Sequence, residues 1–423
     1  MNTEELRIAA STYGTPTYIF DVREVEARIR LLRSLLPEGT GLCFAVKANP
    51  FLIPYVADMV DRLEVCSPGE YEICIQTEIA PEKIVVSGVN KTYESMKRIL
   101  SYSKGAGIYT IESEEHAKIL RTLAEKNQMQ LSVLIRLSSG NQFGVDAETF
   151  IRLAKEVQES PYLTLAGVHY YAGTQKRQSK LEKEMDTLAA FAETFEAETG
   201  MKLPELEYGA GMKVSYFVND SEKDQRESEP EPQIQALAEK LRTCAYGKKT
   251  IELGRFLVSM SGYYLTRVMD VKRTAQPGFL ILDGGIHQIN YYGWMMGMKQ
   301  PEIEVLAEKD GDDCILLEHG GADRKSECSL PENSDAGEMF HLCGSLCTVN
   351  DVLARDVTLH NPEKGDVICF KRCGAYAATE GMAMFLSREL PQVLICRTDG
   401  KIEKLRDRVE TYPFHGCGNW NRM

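Results

Sequence analysis

Residues whose side chains could take part in catalysis occur where short apolar runs of this sequence end. They comprise an amine, a carboxylate, a guanidinium, two rings, a hydroxyl and a small-residue triplet: Lys47, Glu252, Arg255, His169, Tyr171, Thr174 and Gly209-Ala210-Gly211. An amine held against apolar side chains loses stabilisation of its charged form, so its pKa falls and it becomes a nucleophile toward an aldehyde. Each residue also has an ordinary structural explanation. Lys47 could point to solvent, and Glu252 could form a plain ion pair with Arg255.

The elements that must position these residues alternate regularly between residues 42 and 252. Apolar, strand-like runs occur at 42–46, 62–66, 83–86, 107–111, 131–137, 163–168, 205–208 and 249–252. Segments with apolar residues at helical spacing occur between them, at 92–103, 113–126, 146–159 and 179–199. Eight alternations within roughly 220 residues predict an α/β fold with a closed (β/α)8 TIM barrel. An open doubly wound sheet is the alternative, but no dinucleotide-type glycine fingerprint follows the first strand.

In a parallel barrel the strands end on one rim, and the catalytic residues collect there. An amine, a small-residue loop, an arginine, an aromatic side chain and a carboxylate would then share that rim. These are the parts that pyridoxal phosphate needs. The lysine would form an aldimine, the loop amides and an arginine would accept the phosphate, and the carboxylate would keep the ring nitrogen protonated. A flat side chain would cover one face of the ring.

The C-terminal part of the chain has a different pattern. After about residue 262, strand-like runs follow one another without long helices: 263–271, 279–282, 314–317, 339–342, 356–359, 366–370 and 393–397. Asp399-Gly400 has the signature of a hairpin turn. The pattern of this C-terminal half therefore predicts an antiparallel β-barrel or sandwich.

The boundaries of the two predicted domains follow from these patterns. A lone strand at 17–20 and an amphipathic helix at 22–35 precede the first barrel strand. We assign residues 36–265 to the cofactor-binding barrel, and residues 1–35 with 266–423 to the β-barrel domain. The segment 219–233 is acidic and contains prolines, which predicts a mobile surface loop.

Composition and charge restrict the class of protein. Hydrophobic residues make up 43% and charged residues 26%, as in soluble globular proteins. The net charge of −13 disfavours a nucleic-acid or acidic-membrane partner. No signal peptide or membrane-spanning run is evident, so the sequence predicts a cytoplasmic protein.

The chain has 12 cysteines, scattered as buried reduced thiols would be. The pairs Cys343/Cys347 and Cys369/Cys373 share one spacing and could form a zinc site. Their separators are poor in turn residues, and Cys369 lies in the apolar run 367–370. Ordinary β segments are therefore favoured, and no metal is expected.

Five ordered motifs resemble those of the alanine-racemase-fold (fold type III) pyridoxal-phosphate decarboxylases, the family of diaminopimelate and ornithine decarboxylases. The motifs are Ala-Val-Lys-Ala-Asn at 45–49, Gly167 to Gln175, Glu-Leu-Gly-Arg at 252–255, Cys343 to Cys347, and Cys373 to Tyr376. The resemblance extends from Tyr13 to about residue 400. It implies that strand 17–20 completes the second domain.

The resemblance also implies a role for each residue that matches a family motif. Lys47 would be the Schiff-base lysine, and Glu252 would face the pyridine nitrogen. The phosphate would be held by Thr174, the loop Gly209-Ala210-Gly211, Arg255 and Tyr376. After carbon dioxide leaves the external aldimine, giving a quinonoid, Cys347 would return a proton to Cα. Family members contribute that cysteine from the partner subunit, which implies an obligate head-to-tail homodimer with shared active sites.

The sequence departs from the family pattern at several positions. Tyr171 occupies the place of the ring-stacking histidine, with His169 two residues earlier. Leu253 replaces a proline, and Ala210 replaces a glycine of the phosphate loop. Thr348 follows the cysteine where ornithine and diaminopimelate enzymes carry an acidic residue.

The Arg-Pro that diaminopimelate enzymes place after their Asp-Ala-Gly-Met-Asn motif is also missing after residues 283–287. This combination resembles the biosynthetic-cluster subgroup, which includes siderophore-type decarboxylases and those that act on carrier-protein-tethered amino acids.

We therefore expect pyridoxal-phosphate-dependent decarboxylation of an α-amino acid, either free or tethered to a carrier protein. Three alternatives remain. The first is a diaminopimelate or ornithine/lysine-type decarboxylase of primary metabolism. The second is an amino-acid racemase, which would use a tyrosine of the second domain as a base. The third is a non-catalytic regulatory homologue, although such proteins usually lose the lysine, the glutamate or the cysteine, and all three are present here.

Overall fold

The structure is a computed structural model that describes residues 1–291, 297–306 and 337–416. The chain forms two compact units. One comprises Met1–Glu24, Tyr216–Asp220 and Ser259–Met423, and the other comprises Val25–Ser215 and Ser221–Val258. The second unit is thus inserted into the sequence of the first.

The chain begins with helix α1 (Thr3–Tyr13), strand β1 (Thr17–Asp21) and helix α2 (Val22–Leu35). Helix α1 starts with a capping box. The Asn2 side chain accepts a hydrogen bond from the Glu5 N–H, and the Glu5 carboxylate accepts one from the Asn2 N–H, each at 2.8 Å. These bonds satisfy two of the backbone donors that a helix leaves open at its start. The predicted helix 22–35 is confirmed at both ends.

Eight parallel strands close into a barrel. They are β2 (Gly41–Ala45), β3 (Arg62–Val65), β4 (Ile84–Val86), β5 (Ile108–Ile111), β6 (Leu131–Arg136), β7 (Leu163–Tyr171), β8 (Glu205–Gly209) and β9 (Lys248–Leu253). Each strand pairs with the next along the chain, and β9 pairs with β2. The predicted TIM barrel is confirmed, and the alternative of an open sheet is wrong.

The remaining helices lie between these strands or directly after them. They are α3 (Ile53–Val56), α4 (Pro68–Gln76), α5 (Tyr93–Ser103), α6 (Glu114–Asn127), α7 (Ala147–Glu159), α8 (Gln178–Thr199), α9 (Glu222–Glu227), α10 (Pro230–Thr243) and α11 (Arg255–Val258). The four helices predicted from periodicity are confirmed to within one residue at each end. Helix α7 shows why, because Phe150, Leu153 and Val157 occur at helical spacing and are all buried.

The prediction of a mobile loop at 219–233 is wrong, because helix α9 and the start of α10 occupy most of this segment. Ser221 caps α9 by accepting from the Asp224 N–H. Acidic side chains are favourable in a first helical turn, where they face the positive end of the helix dipole. Lys213 pairs with Asp224 and with Glu227, the latter at 3.0 Å. Local pairing of acidic side chains therefore replaces apolar periodicity in α9, whereas α10 buries Ile234, Leu237 and Leu241 at helical spacing beyond the acidic segment.

The other unit contains a mixed sheet built from β1 and β10 (Gly262–Lys272), β11 (Gly278–Leu282), β12 (Ile303–Leu306), β13 (Glu338–Cys343), β14 (Val352–Leu359), β15 (Val367–Phe370), β16 (Gln392–Cys396) and β17 (Ile402–Arg406). Its main path is β14-β13-β11-β10-β1-β16-β17, and β15 pairs with both β10 and β12. Most described pairings are antiparallel, as predicted, but β1 with β16 and β11 with β13 are parallel.

Several predicted features of this sheet are confirmed. Strand β1 joins it between β10 and β16, and β16 and β17 form the hairpin expected around Asp399-Gly400. Strand β12 was not predicted, β17 was predicted only through the hairpin turn before it, and the run 314–317 lies outside the described residues. Cys343 ends β13, and Cys369 is buried within β15. In the described part of the chain, no helix combines the length and apolarity needed to cross a membrane.

Candidate active site

The Lys47 side chain is presented by a tight turn at the end of the first barrel strand. Strand β2 ends at Ala45, and a single 3-10 turn covers Val46–Ala48. This turn lies so close to the end of β9 that a Cβ at Gly254 would be 2.9 Å from Cβ of Ala48. The glycine therefore allows the first and last barrel strands to bring their ends together.

Carboxylates and a thiol surround the Lys47 amine. Nζ lies 3.2 Å from Oε2 of Glu64, 3.8 Å from Oε1 of Glu252 and 3.5 Å from Sγ of Cys66. The Lys47 side chain is 35% exposed, whereas both glutamates are buried. The expectation of an amine held against apolar walls is therefore wrong: Lys47 is open on one side and faces two carboxylates on the other.

Glu252 is held as an anion at the bottom of this arrangement. Its Oε2 lies 2.9 Å from Nε2 of His169, which must donate because a carboxylate only accepts. Burial alone would raise the pKa of Glu252, but the nearby Lys47 charge and the His169 contact outweigh it and hold that pKa well below its usual range. Glu252 and His169 both lie inside their strands, β9 and β7, rather than at or after their ends as predicted.

Tyr171 is the last residue of β7 and provides an aromatic face near the amine. Its ring centroid lies 5.8 Å from Nζ of Lys47. Burial raises the pKa of the Tyr171 hydroxyl, although the charges of Lys47 and Arg255 act in the opposite direction. The phenol therefore stays neutral, and the ring offers a flat, uncharged surface beside the amine.

The small-residue loop 209–211 begins at the end of β8, next to the chain that follows β7. Gly211 has φ of +58°, which favours glycine, and a Cβ there would collide with the carbonyl oxygen of Gly173. Among the described residues, the N–H groups of Ala210 and Gly211 make no backbone hydrogen bond. Such N–H groups are suited to an anion. Thr174 is exposed in the neighbouring segment.

A second ionic cluster lies at the ends of the next barrel strands. Arg136, the last residue of β6, donates to Glu112 at 2.8 Å, and Lys91 lies 3.9 Å from the same carboxylate. Burial lowers the pKa of Lys91 to about 8, although the charge of Glu112 opposes this shift. Lys91 is thus a second amine on the rim, but its side chain is almost completely buried.

Several important residues were missed by the sequence reasoning. Glu64 and Glu207 are carboxylates within strands whose other residues are mostly apolar or aromatic, and an acidic residue inside a strand-like run was the available signal. Glu207 is completely buried and accepts from Arg62 at 2.8 Å. Donor atoms of His169, Glu207 and Glu252 lie within 4.8 Å of one another, which is the geometry of a possible metal site. Each carboxylate of this trio already has a cationic partner.

Cys347 and Tyr376 belong to the other compact unit. Cys347 is exposed in the turn that joins β13 to β14. The buried Asp351 shapes this turn, because its carboxylate accepts from the Leu346 N–H at 2.7 Å and from the Ile286 N–H at 2.8 Å. The motif at 283–287 therefore supports the cysteine turn. Tyr376 has a left-handed backbone with φ of +64°.

The donor set of the barrel fits pyridoxal phosphate. An ionised, buried carboxylate suits a protonated ring nitrogen, a partly exposed amine suits an aldehyde, and free loop N–H groups suit a phosphate. Lys47, Glu252, His169, Tyr171, Arg255 and the loop 209–211 all lie in the same compact unit.

Comparisons with known proteins agree with this chemistry. Residues 22–259 match the family described as pyridoxal-dependent decarboxylase, pyridoxal binding domain. The L-glutamyl-[BtrI acyl-carrier protein] decarboxylase of Niallia circulans is 25% identical, over 96% of this chain and 94% of the relative. The diaminopimelate decarboxylase of Actinosynnema pretiosum subsp. auranticum is 29% identical, over 87% and 80%. The crystal structure of Helicobacter pylori diaminopimelate decarboxylase with L-lysine has a TM-score of 0.77 and 21% identity, covering 97% of this chain and 98% of that one.

Proposed function

The chain belongs to the pyridoxal-dependent decarboxylases, and on this premise we propose that it removes the α-carboxylate of an amino acid at the site around Lys47. It is an amino-acid decarboxylase that uses pyridoxal phosphate. The observation that carries the assignment of the site is the position of Lys47 Nζ, 3.8 Å from the ionised carboxylate of Glu252.

Pyridoxal phosphate supplies, when bound, an aldehyde for the substrate amine and a ring that accepts the electron pair left by departing carbon dioxide. In this proposal Lys47 holds the cofactor covalently until the substrate amine displaces it. Glu252 keeps a positive charge on the ring nitrogen, because its own pKa is too low for it to take the proton. His169 fixes the orientation of that carboxylate through the 2.9 Å contact.

The other barrel residues would bind and orient the cofactor. Tyr171 would cover one face of the ring, in place of the histidine that the family usually has. The N–H groups of the loop 209–211 and the guanidinium of Arg255 would donate hydrogen bonds to the phosphate oxygens. Thr174 would add a hydroxyl donor to the same group, and the role of Tyr376 stays a prediction from the family resemblance.

We assign the protonation of Cα to Cys347, which is exposed and therefore accessible to a second subunit. This assignment predicts a head-to-tail homodimer in which each site combines residues of two chains. Mixing Lys47→Ala and Cys347→Ser proteins, each inactive alone, should restore activity. Random reassortment gives half mixed dimers with one intact site each, or about one quarter of wild-type activity. If the mixture stays inactive while the subunits exchange, the shared site is refuted.

Two substrate classes are supported by the relatives. The Niallia circulans protein acts on a glutamyl group carried by an acyl-carrier protein, and Thr348 replaces the acidic residue expected for a substrate with a distal amine. The similarity to the diaminopimelate decarboxylase of Actinosynnema instead supports diaminopimelate as the substrate. Carbon dioxide release from free and carrier-tethered amino acids, measured in one panel, separates these classes. Loss of optical activity without carbon dioxide release would instead identify a racemase.

The site is tested by reduction of the loaded enzyme with borohydride. The reduced cofactor should be found by mass spectrometry on the peptide that contains Lys47. Lys91 and Lys176 are the appropriate internal controls, because both are buried amines of the same barrel. Label on either control peptide, with none on Lys47, would contradict the assignment. We also propose a cytoplasmic location, from the composition and the scattered thiols, which fractionation of cells would check.

A further inference from the structure

Lys176 carries a buried charge directly beneath the loop 209–211. Its ammonium has no exposed area and lies 2.7 Å from Oε2 of Glu184 in helix α8. The same ammonium donates to the carbonyl oxygen of Gly209 at 2.9 Å. Tyr208 completes the cluster by donating from its hydroxyl to Glu184 at 2.8 Å. Three separate elements therefore meet around one lysine.

Burying the Lys176–Glu184 ion pair carries a large desolvation penalty. Well-packed apolar residues at such positions are often as stabilising as the ion pair, or more so, because charges lose their hydration on burial. Packing alone therefore does not account for Lys176. The contact that an apolar side chain could not make is the hydrogen bond to Gly209.

That hydrogen bond acts together with the pairing of Gly209 in β8 to fix the orientation of the peptide group between Gly209 and Ala210. The peptide group is planar and trans, so the Gly209 carbonyl and the Ala210 N–H point in opposite directions. With the carbonyl bound to Lys176, the Ala210 N–H must face away from the lysine. The backbone N–H of Lys176 also donates to the Gly211 carbonyl at 2.9 Å. Both carbonyls are thus directed toward residue 176, and within the described part of the chain the Ala210 N–H makes no backbone hydrogen bond.

We propose that Lys176 is a positioning residue for the phosphate of the cofactor: its ammonium holds the Gly209 carbonyl so that the Ala210 N–H is presented to the anion. The inference rests on the proposed function, in which the loop 209–211 binds the phosphate. Glu184 neutralises the lysine, so the effect is one of orientation and of polarising the peptide group, rather than of added net charge. The contacts of Lys176 with the Tyr171 and Tyr208 rings, at 5.6 and 5.1 Å, hold its side chain in place.

The test compares the affinity of the apo-protein for pyridoxal phosphate with its affinity for pyridoxal, which lacks the phosphate. The double variant Lys176→Met/Glu184→Gln removes the donor without leaving a buried carboxylate unpaired. It should bind pyridoxal phosphate at least tenfold more weakly and pyridoxal as tightly as the wild type. Lys183→Met, which changes an exposed lysine of helix α8, is the matched control and should keep the wild-type ratio of affinities.

Each outcome separates this inference from the proposed function. Equal loss of both affinities in the double variant would mean a collapsed site and would overturn the positioning role. An unchanged ratio in a folded double variant would overturn it as well. If the double variant does not fold, Lys176→Arg, which retains a donor, provides the test. Its affinities for pyridoxal phosphate and pyridoxal should differ by about the same factor as in the wild type. A much smaller factor in folded protein would count against the positioning role. A wild type that binds both ligands equally would instead refute the phosphate loop itself.

Discussion

Glu207→Gln should make the stability of the apo-protein less dependent on pH. Glu207 is completely buried in β8, and burial raises its pKa to about 7, although the charges of His169 and Arg62 oppose this. In the unfolded chain the carboxyl titrates near its ordinary value of 4.5. Between these values the unfolded chain releases a proton that the folded chain retains. The contribution of Glu207 to stability is therefore full below pH 4.5 and is lost as the pH rises through 7.

The size of the effect follows from the two pKa values. At about 1.4 kcal/mol for each pKa unit, the rise from 4.5 to about 7 corresponds to about 3.5 kcal/mol. Glutamine is neutral at every pH and keeps an oxygen that accepts from Arg62. From pH 5 to pH 8 the wild type should therefore lose about 2–3 kcal/mol of unfolding free energy relative to the variant.

The assay is urea unfolding of both apo-proteins across this pH range, with the difference between them taken at each pH. Glu222→Gln changes an exposed glutamate of α9 and should show no such change over the range. A constant difference between wild type and Glu207→Gln from pH 5 to pH 8 would refute the reasoning. It would mean that Arg62 keeps the Glu207 carboxylate ionised in the folded protein.

Two other substitutions test the site and the opposite end of the barrel. Glu252→Gln should lower kcat by about 100-fold or more because it removes the charge that faces the ring nitrogen, while the absorbance of bound cofactor persists; unchanged carbon dioxide release would exclude the proposed role. Arg62→Met leaves the buried Glu205 and Glu207 without their arginine partner and should cost about 3–5 kcal/mol, seen as a lower thermal midpoint. Lys248→Met removes only a half-exposed partner of Glu205 and should cost less than about 1 kcal/mol; equal losses would show that burial does not set the cost.

The barrel was predictable because its signals are local. Each strand is a short apolar run, and a helix such as α7 repeats buried residues at fixed spacing. The end of β7 was placed too early because His169 and Tyr171 are polar or amphipathic. They belong to the strand because they pair with Arg136 on one side and Gly209 on the other. Such pairing depends on chain segments far away in the sequence.

The candidate site was predictable in part for the same reason. Lys47 and Glu252 lie in motifs that can be read along the chain. Glu64 becomes a partner of Lys47 only when β2 and β3 lie side by side, and the Lys176–Glu184 pair depends on the packing of α8. Nothing in the residue types alone distinguishes these buried charges from solvated ones. Their function comes from the closed barrel rather than from local spacing.

The position of β1 has a consequence for the order in which the protein is assembled during synthesis. All five residues of β1 are buried between β10 and β16, where Thr17 pairs with Leu265 and with Gln392. The ribosome therefore makes the whole barrel before the first partner of β1 exists. Until β10 is synthesised, the segment that forms β1 stays unpaired while the barrel folds. An unpaired apolar strand is prone to aggregation. A truncated chain that ends before Gln392 would lack β16 and leave one edge of β1 unpaired. We therefore expect the protein to tolerate C-terminal truncation poorly.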